Sequence, residues 1–304
     1  MYNHNSKGLS YSAGFFMLIA FTIAGIFLAD AIYTPLFKAM TGKDVEIIKD
    51  EVIIPAYSDA MKMVQAISAV IGFLLPAVVA AFMLSRKPFQ LLGFSPQVKP
   101  EQVGVVVLMI VAALLVSFAL SYLNREIPMP VDWKIKADQL EKDYNNQLAG
   151  IINLKSTGDY ILALIIMAFL PALCEETLFR GGLQNFLTRS TGRPWVSIII
   201  VSLIFSLGHF SYYGFLPRFF LGAVLGFIYH YSGKLWLSIL AHFINNALAI
   251  TVLYASLKEG KQINEIMNED KTGGGWWGIF LLPVLITLFA YFKKISASDK
   301  EAAV

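Results

Sequence analysis

Two adjacent glutamates and an arginine follow a long apolar run in this sequence. The stretch ALCEETLFRG places Glu175, Glu176 and Arg180 directly after GDYILALIIMAFLP. A charge at membrane depth costs about 2.5 to 3.5 kcal/mol on insertion scales, so such residues normally face the interior of a helical bundle and have a partner. Glu176 and Arg180 are four residues apart on one helix face and can pair, whereas Glu175 points about 100° away. We therefore predict that Glu175 is the carboxylate left free to act. The alternative is that the helix has ended and all three side chains are solvated.

Two of the four histidines also lie in apolar stretches. His209 occurs in IFSLGHFSYY, four residues after Phe205, and His242 occurs in LSILAHFINNALAI, four residues before Asn246. A lone intramembrane histidine is often only a hydrogen bond between helices. Here, however, three separate apolar segments each contribute polar groups that the bilayer penalises, which favours a common site.

Such a set of side chains has the parts for peptide-bond hydrolysis. A glutamate and a histidine around one water can deprotonate it for attack on a carbonyl and return the proton to the leaving amine. A second histidine with an asparagine can donate hydrogen bonds to the oxyanion, worth about 2.7 to 4 kcal/mol per donor in a comparable site. No serine or cysteine nucleophile is required. Cys174 is more simply interpreted as a small buried residue than as a nucleophile.

The composition indicates an integral membrane protein. Of the 304 residues 57% are hydrophobic, which is too apolar for an ordinary soluble domain. The net charge of +3 is spread through loops without a basic stripe, which argues against a nucleic-acid partner. A single cysteine excludes an internal disulfide.

Apolar segments of spanning length predict an all-α fold, a polytopic membrane bundle of about eight transmembrane helices in a single domain. The predicted spans are 11–29, 62–85, 102–122, 158–179, 194–210, 215–232, 235–256 and 276–292. We divide the chain into an N-terminal part, 1–157, with three spans and an amphipathic surface helix; a core, 158–256, carrying the candidate site; and 257–304, a loop, the last span and a tail.

The distribution of Lys and Arg near the span ends predicts that both termini are cytoplasmic. On that orientation, Glu175 lies about 26 Å from the outer end of the fourth span. His209 reaches a matching depth only if that helix continues to about Leu187 and projects beyond the membrane. The site is then expected in the cytoplasmic half. The segment VDWKIKADQLEKDYNNQLAGI, by its apolar spacing, predicts a helix that lies on the membrane surface or caps the bundle.

The three motifs, in this order on successive hydrophobic segments, resemble those of the CPBP family, the CAAX prenyl endopeptidase type II and bacteriocin-processing enzymes, also called the Abi family. The resemblance covers roughly 158–256. The motif residues are Glu175, Glu176, Arg180, Phe205, His209, His242 and Asn246.

This resemblance implies an intramembrane endopeptidase in which Glu175 and His209 activate water while His242 and Asn246 form the oxyanion hole. It gives a supporting role to Glu176, Arg180 and Phe205. Family members have been described as metalloproteases, and zinc held by His209, His242 and Glu175 is an alternative. No HExxH occurs, and using His242 and Asn246 for the oxyanion leaves too few ligands, so a metal-independent mechanism is favoured. Asn245, three residues after His242, is interpreted as packing or as support for the site.

The resemblance leaves the function open in several respects. The expected partner is a membrane-associated or lipidated protein or peptide, CAAX-like or lipid-anchored, in contact with the lipid bilayer. The sequence identifies neither the cleavage site nor the oligomeric state. One alternative is a non-proteolytic immunity or regulatory partner that retains the protease scaffold. Another is a transporter or proton pathway, which would favour polar residues along a path through the bilayer.

Overall fold

The computed structural model describes residues 5–43, 57–95, 97–268 and 271–301, and these residues fold into helices joined by short loops. The helices are α1 (Tyr11–Thr41), α2 (Ser58–Leu84), α3 (Pro88–Leu92), α4 (Pro100–Arg125), α5 (Val131–Ile151), α6 (Thr157–Thr191), α7 (Pro194–Leu207), α8 (Phe215–Ser232), α9 (Leu235–Lys258), α10 (Ile263–Asn268), and a 3₁₀ segment (Lys271–Leu281) followed by α11 (Leu282–Glu301).

Six helical stretches in the described ranges are long and apolar enough to cross a membrane, rather than the predicted eight. They are α1, α2, α4, α6, α9 and Trp276–Ala297. The predicted span 194–210 is the apolar helix α7, which has only 14 residues. The predicted span 215–232 coincides with α8, an 18-residue helix that contains Arg218 and His230, which lower its hydropathy. The all-helical, multi-pass architecture is confirmed, and the count of about eight is not.

Helix α6 is far longer than its predicted span. It runs without a break over 35 residues, Thr157–Thr191, or about 50 Å at an α-helical rise, whereas a bilayer core is about 30 Å thick. Ser156 caps its start by accepting from the backbone N–H of Asp159, whose carboxylate accepts from the N–H of Ser156. Two wide π-helical stretches, Leu164–Phe169 and Thr177–Gln184, lie on either side of the glutamates. The expected continuation of the helix beyond Arg180 is therefore confirmed.

Two apolar clusters hold the helices around α6. One joins α1 and α2 to α6 and includes Leu18, Ala80 and Leu178. The other joins α4, α8, α9 and α11 and is built from the side chains Ile110, Val224, Leu237 and Phe292. Burial of these side chains away from lipid and from water fixes the relative positions of α6, α8 and α9, which carry or adjoin the candidate residues.

Close packing of α8 depends on glycine. A Cβ at Gly222 would lie 3.2 Å from the Cβ of Ser202 on α7, and one at Gly226 would lie 2.8 Å from Oε1 of Gln184 on α6. Small residues at these positions let the helix backbones approach. The close approach also exposes the Gly222 carbonyl to the arginine side chain of α6.

Helix α5 caps one end of the bundle. Its first half leaves apolar side chains exposed, with Val131 at 74% and Trp133 at 68%, while Ile151 is buried at its end. Two acidic side chains hold it to the loop 208–214: Asp138 Oδ1 accepts from the Tyr213 hydroxyl at 2.6 Å, and Glu141 Oε2 accepts from the Ser211 hydroxyl at 2.7 Å. Ile135 and Leu140, two of the apolar residues at helical spacing in this segment, are also exposed.

Candidate active site

Glu176 and Arg180 form a buried ion pair within α6. Both residues are fully buried, and Arg180 Nη1 donates to Glu176 Oε1 at 2.7 Å. The other terminal nitrogen, Nη2, donates to the Gly222 carbonyl at 3.0 Å, and the guanidinium carbon lies 4.8 Å from the centre of the Phe205 ring. The alternative of a solvated helix end is wrong, because the helix continues and both charges are enclosed.

His242 from α9 shares the Glu176 carboxylate. Its Nδ1 lies 2.9 Å from Glu176 Oε1, the oxygen that also accepts from Arg180. A carboxylate can only accept, so Nδ1 carries a proton. The opposite nitrogen, Nε2, is then free of this bond and lies 3.9 Å from Glu175 Oε2. Glu176 therefore fixes the His242 ring as well as neutralising Arg180, a contact that sequence spacing within one helix does not reveal.

Glu175 has a different environment from its neighbour. Its side chain is 17% exposed, and Oε2 is shielded from solvent yet has no hydrogen-bond partner among the described residues. At 3.9 Å, the His242 nitrogen is beyond direct hydrogen-bond distance but close enough for charge interaction. Oε2 of Glu176 is likewise shielded and unpartnered among the described residues, so the two glutamates differ in that Glu176 binds Arg180 and His242 through Oε1, whereas Glu175 only approaches His242. A shielded carboxylate oxygen without a partner is rare in native structures.

His209 follows α7 in the loop 208–214, and the backbone fixes its ring. Its Nδ1 lies 2.8 Å from the Phe205 carbonyl oxygen, which can only accept, so Nδ1 donates and a neutral ring offers Nε2 as a base. The Phe205 ring packs edge-on against both His209 and His242, at 4.9 and 5.8 Å between centres. The next residue, Phe210, has φ of 50°, a left-handed conformation that is costly for a side chain of its size.

A cavity of about 290 Å³ brings most of these groups together. Its lining residues are Ile110, Tyr144, Phe205, His209, Arg218, Leu221, Leu225, His242, Asn245, Asn246 and Ala249. Three of the four candidate catalytic residues thus line one cavity, and Oε2 of the fourth, Glu175, lies 3.9 Å from His242 Nε2. The Glu175 charge also acts electrostatically on His209.

Asn245 and Asn246 both line the cavity. Asn245 Nδ2 donates to Asn246 Oδ1 at 3.0 Å, and Asn246 Nδ2 lies 3.5 Å from the Ala168 carbonyl oxygen. The first contact directs the amide NH₂ of Asn246 away from Asn245. Asn245 therefore supports Asn246, in keeping with its predicted secondary role, but it is also in direct contact with the cavity.

Two polar residues that line the cavity, Arg218 and Tyr144, were not identified as site residues from the sequence. Arg218 is in the first turn of α8, and its guanidinium carbon lies 5.1 Å from the centre of the Tyr144 ring on α5. An arginine inside an apolar helix was the available signal for the first, because such a charge needs a partner. No signal marked Tyr144 beyond its place in the amphipathic pattern. The position of Tyr144 also shows that the cavity reaches the end of the bundle covered by α5.

The same geometry bears on zinc. In the described part of the chain, no group of three or more His, Cys, Asp and Glu side chains is arranged to hold a metal ion. The two histidines use Nδ1 on a carbonyl and on a carboxylate, which leaves Nε2 of each ring free, as in zinc-bound histidines. The hydrogen bonds of the rings therefore do not decide between zinc and a metal-independent mechanism, although the described side chains do not converge as a three-ligand set.

Comparison with known proteins agrees with the motifs. Residues 157–248 match the family model described as Type II CAAX prenyl endopeptidase Rce1-like, and this region contains every candidate residue. The match supports membership in the CPBP family through a segment that covers just under a third of the chain.

Two curated relatives are similar to this chain over 100 and 113 residues. The chain is 35% identical over 100 residues to the Uncharacterized 24.3 kDa protein of Escherichia coli, covering 32% of this chain and 46% of that protein. It is 28% identical over 113 residues to the Uncharacterized protein YpbD of Bacillus subtilis (strain 168), covering 36% of this chain and 55% of that protein. The chain thus spans about half the length of these relatives. No solved structure matches.

Proposed function

We propose that this chain, which matches the Rce1-like family over residues 157–248, is an intramembrane endopeptidase that hydrolyses a peptide bond in a membrane-associated protein. The observation that carries the proposal is the cavity that His209, His242 and Asn246 line together, with the unpaired Glu175 carboxylate 3.9 Å from His242. The substrate we expect is CAAX-like or lipid-anchored.

In the proposed reaction Glu175 and His209 activate one water molecule. The His209 ring is held by the Phe205 carbonyl so that Nε2 can accept a proton from water. The water oxygen attacks the carbonyl carbon of the scissile peptide, and the C–N bond breaks after the leaving nitrogen receives the proton from this pair. The products are a carboxylate and an amine. Glu175 is not among the lining residues, so its side chain has to turn towards the cavity, and no hydrogen bond of Oε2 opposes that movement.

His242 and Asn246 would stabilise the oxyanion. Donation from His242 Nε2 requires both ring nitrogens to carry a proton, since Nδ1 already donates to Glu176. The two carboxylates on either side of the ring supply compensating negative charge. The amide of Asn246, oriented by Asn245, would be the second donor. Preorganised donors of this kind lower the barrier because they need no rearrangement as charge develops.

Cleavage assays on the purified protein test the proposal. The wild type, Glu175→Ala and His209→Ala are incubated in detergent with S-prenylated, acylated and transmembrane peptides, and products are identified by mass spectrometry. We expect cleavage by the wild type alone, and cleavage that persists in both variants would refute the assignment. If the wild type has a cellular phenotype that Glu175→Ala retains, a non-proteolytic immunity or regulatory role is supported instead.

Metal dependence is tested in the same assay. We expect the wild type to keep its activity after treatment with a chelator, and metal analysis to find no stoichiometric zinc. Activity that disappears with chelator and returns only with zinc would refute the metal-independent mechanism.

A further inference from the structure

We propose that Arg218 and Tyr144 form a subsite that binds a carboxylate of the peptide substrate inside the catalytic cavity. The inference rests on the proposed function for the identity of the ligand as a peptide. It adds a specificity-determining pair on α8 and α5, outside the three sequence motifs.

The Arg218 guanidinium has an unused donor. Its Nη1 is shielded from solvent and has no hydrogen-bond partner among the described residues, while the guanidinium carbon lies 5.1 Å from the centre of the Tyr144 ring. The Arg218 side chain is half-buried and lines a cavity with no acidic lining residue, and a positive charge in such surroundings normally has a partner. An anion that enters the cavity would supply the counter-charge that the lining residues lack.

The protein supplies no acid in the cavity itself. None of the residues that line it is an aspartate or glutamate. On α5, Asp138 accepts from Tyr213 and Glu141 accepts from Ser211, and neither acid lines the cavity. A carboxylate brought by the ligand is thus the partner that fits, because guanidinium and carboxylate form short, charge-assisted hydrogen bonds with matched geometry.

The surroundings of Arg218 define the rest of the ligand. Leu221 and Leu225 follow on the same face of α8, three and seven residues later, and both line the cavity. A cation next to a short apolar wall fits a carboxylate flanked by apolar side chains. Arg218 also acts electrostatically on His209, which places the bound carboxylate close to the reacting groups. The subsite would therefore set the distance between the carboxylate and the scissile bond.

Binding can be measured without cleavage by placing all variants in a Glu175→Ala background in nanodiscs. The probe is a fluorescent, S-farnesylated heptapeptide ending in cysteine and three further residues, made in three forms. One has a free terminal carboxylate, one a terminal amide, and one a terminal amide with glutamate as its last residue. Fluorescence anisotropy gives Kd for Glu175→Ala alone and combined with Arg218→Gln, Arg218→Lys or Arg193→Gln. Arg193, at the start of α7, is exposed and controls for loss of one positive charge.

We expect the free acid to bind about 10- to 100-fold more tightly than the amide, as for one charge-assisted hydrogen bond. Arg218→Gln should abolish this preference while leaving binding of the amide unchanged. Arg218→Lys should restore part of it, and Arg193→Gln should have no effect. If the glutamate-bearing amide binds as tightly as the acid, a side-chain carboxylate can occupy the subsite; if not, the terminal carboxylate is the ligand.

Equal Kd values for the three probes, no binding of any probe, or a preference that survives Arg218→Gln would overturn the subsite. Cleavage by the wild type is scored separately. A preference for the acid without cleavage by the wild type would support the subsite and refute the proposed protease function. Cleavage without a preference for the acid would support the protease function and refute the subsite.

Discussion

Replacement by glutamine should affect the stability of the protein very differently at the two adjacent glutamates of α6. Glu176 is fully buried and its Oε1 accepts from both Arg180 and His242, so Glu176→Gln leaves the Arg180 guanidinium buried without a counter-charge. Removal of one partner of a buried ion pair costs about 3 to 5 kcal/mol. Glu175→Gln removes a carboxylate whose Oε2 has no hydrogen bond, so its stability should change by no more than about 1 kcal/mol.

These values can be measured as thermal midpoints of the purified variants in one detergent at one heating rate, because membrane proteins commonly unfold irreversibly. At about 2 °C per kcal/mol, the lower end of the range for larger domains, Glu176→Gln should lower the midpoint by about 6 to 10 °C. Glu175→Gln should stay within about 2 °C of the wild type. Cleavage should be lost in Glu175→Gln despite its intact fold.

The two variants serve as controls for each other, since each replaces one oxygen by NH₂ at neighbouring positions. Equal midpoints for Glu175→Gln and Glu176→Gln would refute the division of roles, as would a destabilised Glu175→Gln with an unaffected Glu176→Gln.

Three further predictions concern the cavity and its cover. Asn246→Ala should lower kcat about 10²- to 10³-fold, as for loss of one oxyanion donor, whereas Asn245→Ala should have a smaller effect; the reverse order would refute their roles. Gly226→Val should lower the thermal midpoint, because even its Cβ would lie 2.8 Å from Gln184 Oε1. Desolvation and the bond to Asp138 raise the pKa of Tyr213 from 10.0 to about 12. Its contribution to stability should thus be full below pH 10 and lost as the pH rises towards 12, whereas Tyr213→Phe should lack this loss.

The sequence predicted those parts of the site that depend on local spacing. A separation of four positions between Glu176 and Arg180 sufficed to predict their ion pair, and the depth required of His209 implied a helix that continues beyond Arg180. The count of about eight spans is not confirmed at α7 and α8, because apolar periodicity shows neither that α7 ends after 14 residues nor how far Arg218 and His230 lower the hydropathy of α8. The contact between Glu176 and His242 depends on how α9 packs against α6. Residue spacing within one helix does not predict that packing.

The extent of the cavity along the bundle did not follow from residue counts. Counting residues along straight helices placed the site in the cytoplasmic half, on an orientation that puts the segment 123–157 outside. Yet Tyr144, within that segment, lines the same cavity as His209 and His242. The cavity therefore extends towards the end of the bundle that carries α5, and an opening confined to the opposite end does not describe it. Residue counts predict only the depth of backbone positions along straight helices. The extent of the cavity depends on the loop 208–214 and on the two hydrogen bonds that join this loop to α5. Because α5 is also held by the buried side chain of Ile151 and by the Ser58 hydroxyl, which donates to the Ile151 carbonyl, access of a peptide from that side requires more than the loss of the two hydrogen bonds to Asp138 and Glu141.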